Sequence, residues 1–270
     1  MRIVVPVKFV PDLQSTRSFT EGTVTRTADD GTLNELDENA VEAALLIRES
    51  LPEGECEVFA LTVGGADAVA AVRKALQLGV DHGVHVSDTA IAGSDVFGTA
   101  TVLAAAVREI EKGGVLGEGG AVDLVITGMA SLDGLTSMLP TALAAALGVA
   151  QLTLASRLEV TDGAATIVRH LPDAHETVTA ALPALVSVTD EANKARYPNF
   201  KLIMAARSKP VTTWSLSDIG VDPVTVGAMA ARTTVIDASP RPPRENRVVV
   251  TDKGEGGKEL AAFLIERALA

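Results

Sequence analysis

Apolar residues fall along this chain in two alternating patterns, namely short continuous runs and longer stretches with helical spacing. Continuous runs are typical of strands buried on both faces, as in parallel sheets. Apolar residues three and four apart indicate helices that pack one face on such a sheet. The runs occupy 2–10, 56–63, 82–88 and 121–128, and the helical stretches occupy 38–50, 66–79, 94–112 and 135–148. This alternation predicts an α/β fold with a doubly wound, mostly parallel sheet.

Local signals refine these elements. Ser94 is the expected N-terminal cap of the third helix, and Pro140 predicts that the fourth helix is either broken or begins near that residue. Residues 11–33 are polar and rich in threonine, which predicts a loop or a small hairpin.

The pattern changes after residue 150. Strand-like segments at 151–160, 165–171 and 176–189 are separated by turn residues, which predicts a β-hairpin appended to the sheet. Proline and arginine then concentrate at 239–247, as in an extended linker. The segment 258–269 is an amphipathic helix that either packs on its own domain or reaches a partner. We therefore predict an α/β domain at 1–238 and an extended C-terminal arm at 239–270 that ends in a helix.

Composition and charge narrow the class of protein. The 270 residues carry a net charge of −12, which argues against nucleic acid as the main partner. The single cysteine, Cys56, allows neither an internal disulfide nor a cysteine-based metal site. The chain opens directly on a strand pattern, and its apolar runs are shorter than the roughly 20 residues that span a bilayer. We therefore expect a cytoplasmic protein that does not insert into a membrane.

Candidate chemistry lies where the predicted parallel strands end. Ligands bind outside the carboxyl ends of the strands in doubly wound sheets, and the segments there are 5–12, 62–67 and 127–137. The last of these combines glycines with the hydroxyls of Thr136 and Ser137 before a helix, an arrangement that suits an anion. The alternative is a plain strand-to-helix turn with a cap.

No standard catalytic or phosphate-binding motif is present in the sequence. Lys8, Asp12 and Asp133 could meet at the edge of the sheet, but they form no evident acid–base pair. The four histidines form no ligand cluster, so no metal site is expected. The residues predict a nucleotide-binding α/β module rather than an enzyme.

A basic, aromatic stretch in an acidic chain gives the most specific signal. The sequence VTDEANKARYPNFKLIMAARSKP (188–210) resembles the signature region of the electron transfer flavoprotein (ETF) β subunit, with Asn-x-x-Arg-Tyr followed by Ile-Met-x-Ala. The segments VPVKFVPD (5–12), LNELDENAVEAAL (33–45) and VGGADA (63–68) also look like that family. The similarity in order and spacing extends over almost the whole chain.

The resemblance implies a Rossmann-like fold of the adenine nucleotide α-hydrolase type. It also implies an electron carrier rather than an enzyme, paired as a heterodimer with an ETF α subunit that holds most of the FAD. The β subunit would hold AMP, and the pair would carry electrons from acyl-CoA dehydrogenases and similar flavin dehydrogenases to an ETF-quinone oxidoreductase. The cofactor contacts that the resemblance implies are Pro6, Asn34, Glu35, Leu36, Asp37, Val63, Gly64, Gly128, Met129, Ala130, Ser131, Asp133, Gly134, Leu135, Thr136 and Ser137.

The chain departs from the family pattern at the cofactor loop. The loop GMASLDGLTS (128–137) is shorter than the housekeeping form and lacks its Asn-Gln/Ala-Thr-Gly run. It also lacks the Asp-x-Asp-Thr-Ala-Gln pattern of bifurcating members, which hold a second FAD in place of AMP. AMP is therefore favoured, with a second FAD as the alternative. Another alternative is a stand-alone adenine-nucleotide sensor of the universal-stress type. Leu13 stands where some members have a tyrosine near the flavin.

In the ETF family, the loop after Arg-Tyr anchors an apolar side chain in a pocket of the partner dehydrogenase. Here this recognition loop spans about 191–206, and Phe200 matches the anchor position. The alternative is that Tyr197 and Phe200 pack beneath the loop. Lys201, Arg207 and Lys209 would steer acidic partners. The predicted partner-binding residues are Arg196, Tyr197, Phe200, Lys201 and Met204.

Overall fold

The structure is a computed structural model that describes residues 1–20, 22–239, 241–243, 245 and 248–269. The chain divides into two compact units, residues 1–237 and 238–270. Part of the predicted 239–247 linker lies outside the described residues, as does Glu21 in the predicted 11–33 loop.

Strands and helices alternate through the first half of the chain. The strands are β1 (Arg2–Pro6), β2 (Phe9–Pro11), β3 (Phe19–Thr20), β4 (Thr23–Val24), β5 (Gly31–Leu33), β6 (Glu57–Val63), β7 (His82–Val86), β8 (Leu124–Gly128), β9 (Ala150–Ala155), β10 (Arg157–Thr161), β11 (Ala164–Leu171), β12 (Ala174–Ala181), β13 (Ala184–Val188) and β14 (Val211–Trp214). The helices are α1 (Glu35–Ser50), α2 (Val69–Leu78), α3 (Val96–Glu111), α4 (Leu139–Leu147), α5 (Phe200–Ser208), α6 (Gly227–Ala230) and α7 (Gly256–Glu266).

Seven of these strands form one sheet in the order β14-β7-β6-β1-β8-β13-β9, and every described pairing in it is parallel. Helices α1 and α2 pack on one face, and α3 and α4 pack on the other. Both faces of β1 are covered, so Ile3, Val4 and Val5 have no exposed area. The predicted doubly wound α/β fold is confirmed, and the strand order reverses between β1 and β8.

The predicted strand at 2–10 is divided in two. It leaves the large sheet at Pro6, and Phe9–Pro11 pairs antiparallel with β5 instead. The break has a local cause, because both main-chain groups of Lys8 bond elsewhere. The Lys8 amide donates to Asp37 at 2.8 Å, and the Lys8 carbonyl accepts from the Asn34 amide at 2.9 Å.

The appended hairpin is larger than predicted. Strands β10, β11 and β12 form a three-stranded antiparallel sheet. The strands before and after it, β9 and β13, join the large sheet in parallel. The sequence pattern alone did not distinguish these two strands from those of the appended sheet. The sequence analysis also did not predict α5 within 188–210 or β14, which follows that segment.

Two helix boundaries also differ. Helix α1 begins at Glu35 rather than residue 38. Helix α3 is capped by Asp95, whose carboxylate accepts from the amides of Phe97 and Gly98, and not by Ser94. The Ser94 hydroxyl instead donates to the Ile91 carbonyl at 2.7 Å. Helix α4 begins at Leu139, next to Pro140 as expected.

The second unit contains α7, which covers most of the predicted C-terminal helix. Among the described residues, no helix has the length and apolar character needed to cross a bilayer.

Candidate functional site

A cleft of about 1050 Å³ lies at the carboxyl edge of the large sheet. Strands β1, β6 and β8 end there at Pro6, Val63 and Gly128, around the point where strand order reverses. Such a crevice is where open α/β sheets bind ligands. The predicted cofactor residues in its lining are Pro6, Asp37, Val63, Gly64, Gly128, Ala130, Ser131, Gly134, Thr136 and Ser137.

The loop after β8 is tied to the start of α1 by Asn34. This side chain is fully buried, and its amide nitrogen donates to the Ala130 carbonyl at 2.9 Å. Its side-chain oxygen accepts from the Leu132 amide at 3.0 Å. Leu135 and Ser137 have positive φ angles of 50° and 51°, a strained conformation for side-chain-bearing residues. The loop is thus held in a defined, partly strained shape beside the cleft.

Gly128 is required by a close approach between β8 and α1. A Cβ at this position would lie 2.6 Å from Asp37 Oδ1 and 2.6 Å from the Leu36 carbonyl oxygen. Only glycine allows the end of β8 to pack this tightly on the first turn of α1. The resulting floor of the cleft is a backbone surface with a buried carboxyl beside it.

Asp37 is that buried carboxyl. Its Oδ2 accepts from the Lys8 amide at 2.8 Å. Burial raises the pKa of Asp37 to about 7, against the opposing effect of hydrogen bonds from Asn34 and Lys8. The group therefore changes its protonation state near neutral pH.

Thr127, the residue before Gly128 on β8, lies in the lining of the cleft. Within the described residues, Thr127 Oγ1 is buried and has no hydrogen-bond partner. Buried polar atoms are nearly always satisfied, so this hydroxyl is an exception in a residue that lines the cleft. The glycine-lined floor and neighbouring hydroxyls suit a nucleotide.

The remaining predicted cofactor residues lie beside the cleft rather than in its lining. Asn34 and Asp133 hold loops through hydrogen bonds, and Leu135 is 66% exposed. These residues are Asn34, Glu35, Leu36, Met129, Asp133 and Leu135.

The cleft also includes residues that the sequence analysis did not select. One group follows β7 at Ser87–Thr89, and another lies at Ser94–Val96 before α3. The sequence could have indicated the first group, because the predicted strand at 82–88 corresponds to β7. This strand is parallel to β6 and must end at the same edge of the sheet. Lys8 and Arg26 line the cleft as well. The sequence analysis placed Lys8 near Asp133 without assigning it to the site.

The recognition loop is bound to α1 through Arg196. The guanidinium donates to both carboxylate oxygens of Glu42, at 2.7 and 3.0 Å, and to Glu49 at 2.6 Å. These hydrogen bonds, first to Glu49 and then to Glu42, raise the pKa of Arg196 above its ordinary value. Arg196 was predicted to contact a partner. In the structure, its hydrogen bonds hold the recognition loop on α1 of the same domain.

Apolar side chains protrude from the same loop. Tyr197 is 90% exposed, Phe200 is 78% exposed and Met204 is 44% exposed. The alternative that the two aromatic residues pack beneath the loop is therefore wrong for the described chain. Phe200 and Met204 lie four residues apart on α5, so they share one outward face.

Of the predicted steering cations, Lys209 is not available. It is half-buried, and its ammonium donates to the Val80 carbonyl at 2.5 Å. Burial lowers the pKa of Lys209. Lys201 and Arg207 are exposed.

Comparisons with known proteins agree with this geometry. The family model described as "Electron transfer flavoprotein domain" matches residues 21–219. The chain is 40% identical to the electron transfer flavoprotein subunit beta of Mycobacterium tuberculosis over 271 residues, which is 99% of this chain and 98% of the relative. It is 39% identical to the Mycobacterium leprae protein of the same name, over 99% of this chain and 98% of that one. The caffeyl-CoA reductase-Etf complex subunit CarD of Acetobacterium woodii is 31% identical, over 99% of this chain and 97% of that subunit.

The doubly wound sheet with its rim cleft is that of an electron transfer flavoprotein domain, a class of flavin-dependent electron carriers. Within that class, the chain belongs to the electron transfer flavoprotein β-subunit family. Such a subunit pairs with an α subunit and carries electrons without turning over a substrate of its own. The alternative of a stand-alone nucleotide sensor is thereby set aside.

Proposed function

We propose that this β subunit holds one AMP in the rim cleft as a fixed structural part, while the α subunit holds most of the FAD. FAD supplies the electron-carrying chemistry when it is bound. In this proposal the heterodimer accepts electrons from acyl-CoA dehydrogenases and related flavin dehydrogenases, and it delivers them to an ETF-quinone oxidoreductase.

The observation that carries the proposal is the large cleft at the reversal point of the sheet, where β1, β6 and β8 end. Gly128, at the end of β8, packs on the first turn of α1, so the backbone there forms the floor of this cleft. Ser131, Thr136 and Ser137 add hydroxyls from the following loop. These groups bind and orient a nucleotide.

A second FAD in place of AMP remains the competing proposal. The cleft of about 1050 Å³ is at the upper end of the range for small-molecule sites. The cleft continues beyond the 128–137 loop to Ser87–Thr89 and Ser94–Val96. The second half of a dinucleotide would extend into that part.

The test is the nucleotide content of the natural heterodimer. The chain is co-expressed with its α subunit, the purified complex is acidified, and the released nucleotides are separated and quantified. We expect one AMP for each FAD. Two FAD molecules and no AMP would favour the competing proposal. FAD with no second nucleotide would overturn the assignment of the cleft.

We further propose that the recognition loop docks redox partners through Tyr197, Phe200 and Met204. Large apolar side chains that protrude among polar neighbours are typical of binding hot spots. The Arg196 pairs fix the base of the loop, so the exposed side chains are presented with less conformational freedom to lose on binding. Lys201 and Arg207 affect the association rate more than the affinity.

A further inference from the structure

Three charged side chains from distant parts of the chain meet beside the cleft. Lys8 follows β1, Arg26 lies between β4 and β5, and Asp133 lies in the loop after β8. Lys8 Nζ donates to Asp133 Oδ1 at 2.8 Å and to Ser131 Oγ at 3.2 Å. Arg26 donates to Asp133 Oδ2 through Nε at 2.9 Å and also through Nη2. Asp133 therefore joins two cations.

Exposure differs sharply within this cluster. The Asp133 side chain has no exposed area, whereas those of Lys8 and Arg26 are 43% and 38% exposed. Lys8 and Arg26 line the cleft, and Asp133 lies behind them. Burial alone would raise the pKa of Asp133, but the charges and hydrogen bonds of Lys8 and Arg26 hold it below its ordinary value. The ionised carboxylate acts as an internal counter-ion.

Lys8 and Arg26, which line the cleft, keep positive charge and N–H donors that the cluster itself does not use. Two cations and one carboxylate carry one net positive charge while the neighbouring Asp37 is protonated. The Lys8 ammonium has three N–H bonds and uses two of them. The Arg26 guanidinium has five N–H bonds and uses three, including one to the Val24 carbonyl. The remaining donors can serve an anion without breaking the existing pairs.

The part of the cleft beyond the ends of β6 and β7 has the other sign of charge. Its lining includes Asp67, Asp88 and Asp95. Asp88 and Asp95 accept hydrogen bonds from the main chain of the segments that follow them. An anionic group is therefore disfavoured at that end and favoured beside Lys8 and Arg26.

We propose that Lys8 and Arg26 bind the phosphate of the nucleotide, with Asp133 holding both cations in position before the ligand arrives. The proposal rests on the proposed function of the cleft as an adenine-nucleotide site and deepens it. It sets the orientation of the nucleotide, with the phosphate towards the 131–137 loop and the nucleoside towards the acidic end. Arg26 also brings the loop between β4 and β5 to the cleft.

The experiment compares AMP with adenosine, which lacks the phosphate. The α–β complex, depleted of its nucleotide, is titrated calorimetrically with each compound. The variants are Lys8→Met and Arg26→Gln, which keep much of each side chain's length and remove its charge. Arg17→Gln is the matched control, because Arg17 lies in the same N-terminal segment and donates to the Pro11 and Asp12 carbonyls.

The wild type should bind AMP more tightly than adenosine. Each variant should weaken AMP binding by about tenfold or more and leave adenosine binding unchanged, because a charge-assisted hydrogen bond is lost. Arg17→Gln should keep the wild-type preference. If Lys8→Met fails to fold, Arg26→Gln, on an exposed loop, still decides the question.

Two results would overturn the proposal in distinguishable ways. An unchanged preference for AMP in Arg26→Gln and in folded Lys8→Met would show that other groups bind the phosphate, while the nucleotide site itself would stand. A depleted wild-type complex that binds neither AMP nor adenosine would remove the nucleotide site as well.

Discussion

Asn39 and Asn193 exchange hydrogen bonds with each other's main chain. Asn39 Nδ2 donates to the Asn193 carbonyl at 3.0 Å, and Asn193 Nδ2 donates to the Asn39 carbonyl at 2.9 Å. Asn39 lies on α1, one turn after the residues at the nucleotide cleft, and Asn193 lies in the recognition loop. One helix therefore carries groups for both proposed sites, and the loop is positioned by the same element that forms the rim.

The Arg196 pairs make the recognition loop part of the folded domain. Arg196→Ala would leave the Glu42 carboxylate buried without its cation, so we expect the free energy of unfolding to fall by about 1–3 kcal/mol. Urea denaturation measures this change. Adding Glu42→Gln to Arg196→Ala should recover part of the loss, because the buried group is then neutral.

Arg207→Ala is the matched control for this prediction. Arg207 is an exposed cation on α5, and its removal should change stability by no more than about 0.5 kcal/mol. Equal losses for Arg196→Ala and Arg207→Ala would contradict the structural role of Arg196.

Phe200→Ala should weaken docking without loosening the cofactor. We expect the apparent KM for a reduced donor dehydrogenase to rise, since truncating a hot-spot residue costs about 2–4 kcal/mol of binding. Flavin content, read from the visible absorbance of the complex, should stay at the wild-type level. Met229→Ala removes a 97% exposed apolar side chain outside the loop and should leave KM unchanged. A fall in flavin content with Phe200→Ala would show that Phe200 supports the cofactor.

The sequence was sufficient for the fold class and for the ends of β6 and β8, whereas the predicted strand at 2–10 ran past the end of β1 at Pro6. Continuous apolar runs such as Ile3–Val5 form only where both faces of a sheet are covered, so the pattern specified a parallel sheet. The segments 5–12, 62–67 and 127–137 followed from the strand ends, and the resemblance to the ETF β subunit selected Pro6, Val63 and Gly128 within them. The β9–β13 arrangement did not follow, because alternation cannot say which sheet a strand joins.

Side-chain pairing was harder to predict than strand position. Arg196 was predicted to face a partner, yet Glu42 and Glu49, more than 140 positions earlier in the chain, take its donors. Arg26 was not selected, because its contact with Asp133 depends on how the long loop before β5 folds back. Such long-range pairs carry no periodic signal in a single sequence.

Thr127 and Thr62 offer a matched test of the cleft. In the part of the chain that the structure describes, both hydroxyls are buried and without a hydrogen-bond partner, but only Thr127 lines the cleft. Replacing either by valine should raise the unfolding free energy of the nucleotide-free complex by up to about 1 kcal/mol. Only Thr127→Val should lower the nucleotide content of the purified complex. Equal nucleotide content in both variants would show that Thr127 does not contact the ligand.

Asp37 should make the stability of this domain depend on pH. Its pKa of about 7 in the folded chain lies above the ordinary value of 3.8. The folded state therefore binds the proton more tightly than the unfolded state does. The stability that Asp37 contributes is complete below about pH 4, and it is lost progressively as the pH rises to about 7.

The Asp37→Asn variant has no proton to lose at this position. As pH rises, the unfolding free energy of the wild type should therefore fall relative to that of the variant. Between pH 5 and pH 8 we expect the difference to grow by on the order of 2–3 kcal/mol. Asp133→Asn is the control with the opposite sign. The lowered pKa of Asp133 keeps it ionised over this whole range, so that variant should already be less stable than the wild type at pH 5. Its difference from the wild type should change little up to pH 8, because the charge of Asp133 is the smallest of the effects on the pKa of Asp37. Denaturant titrations at several pH values measure all three proteins, and parallel curves for Asp37→Asn and the wild type would refute the assignment of a raised pKa to this buried carboxyl.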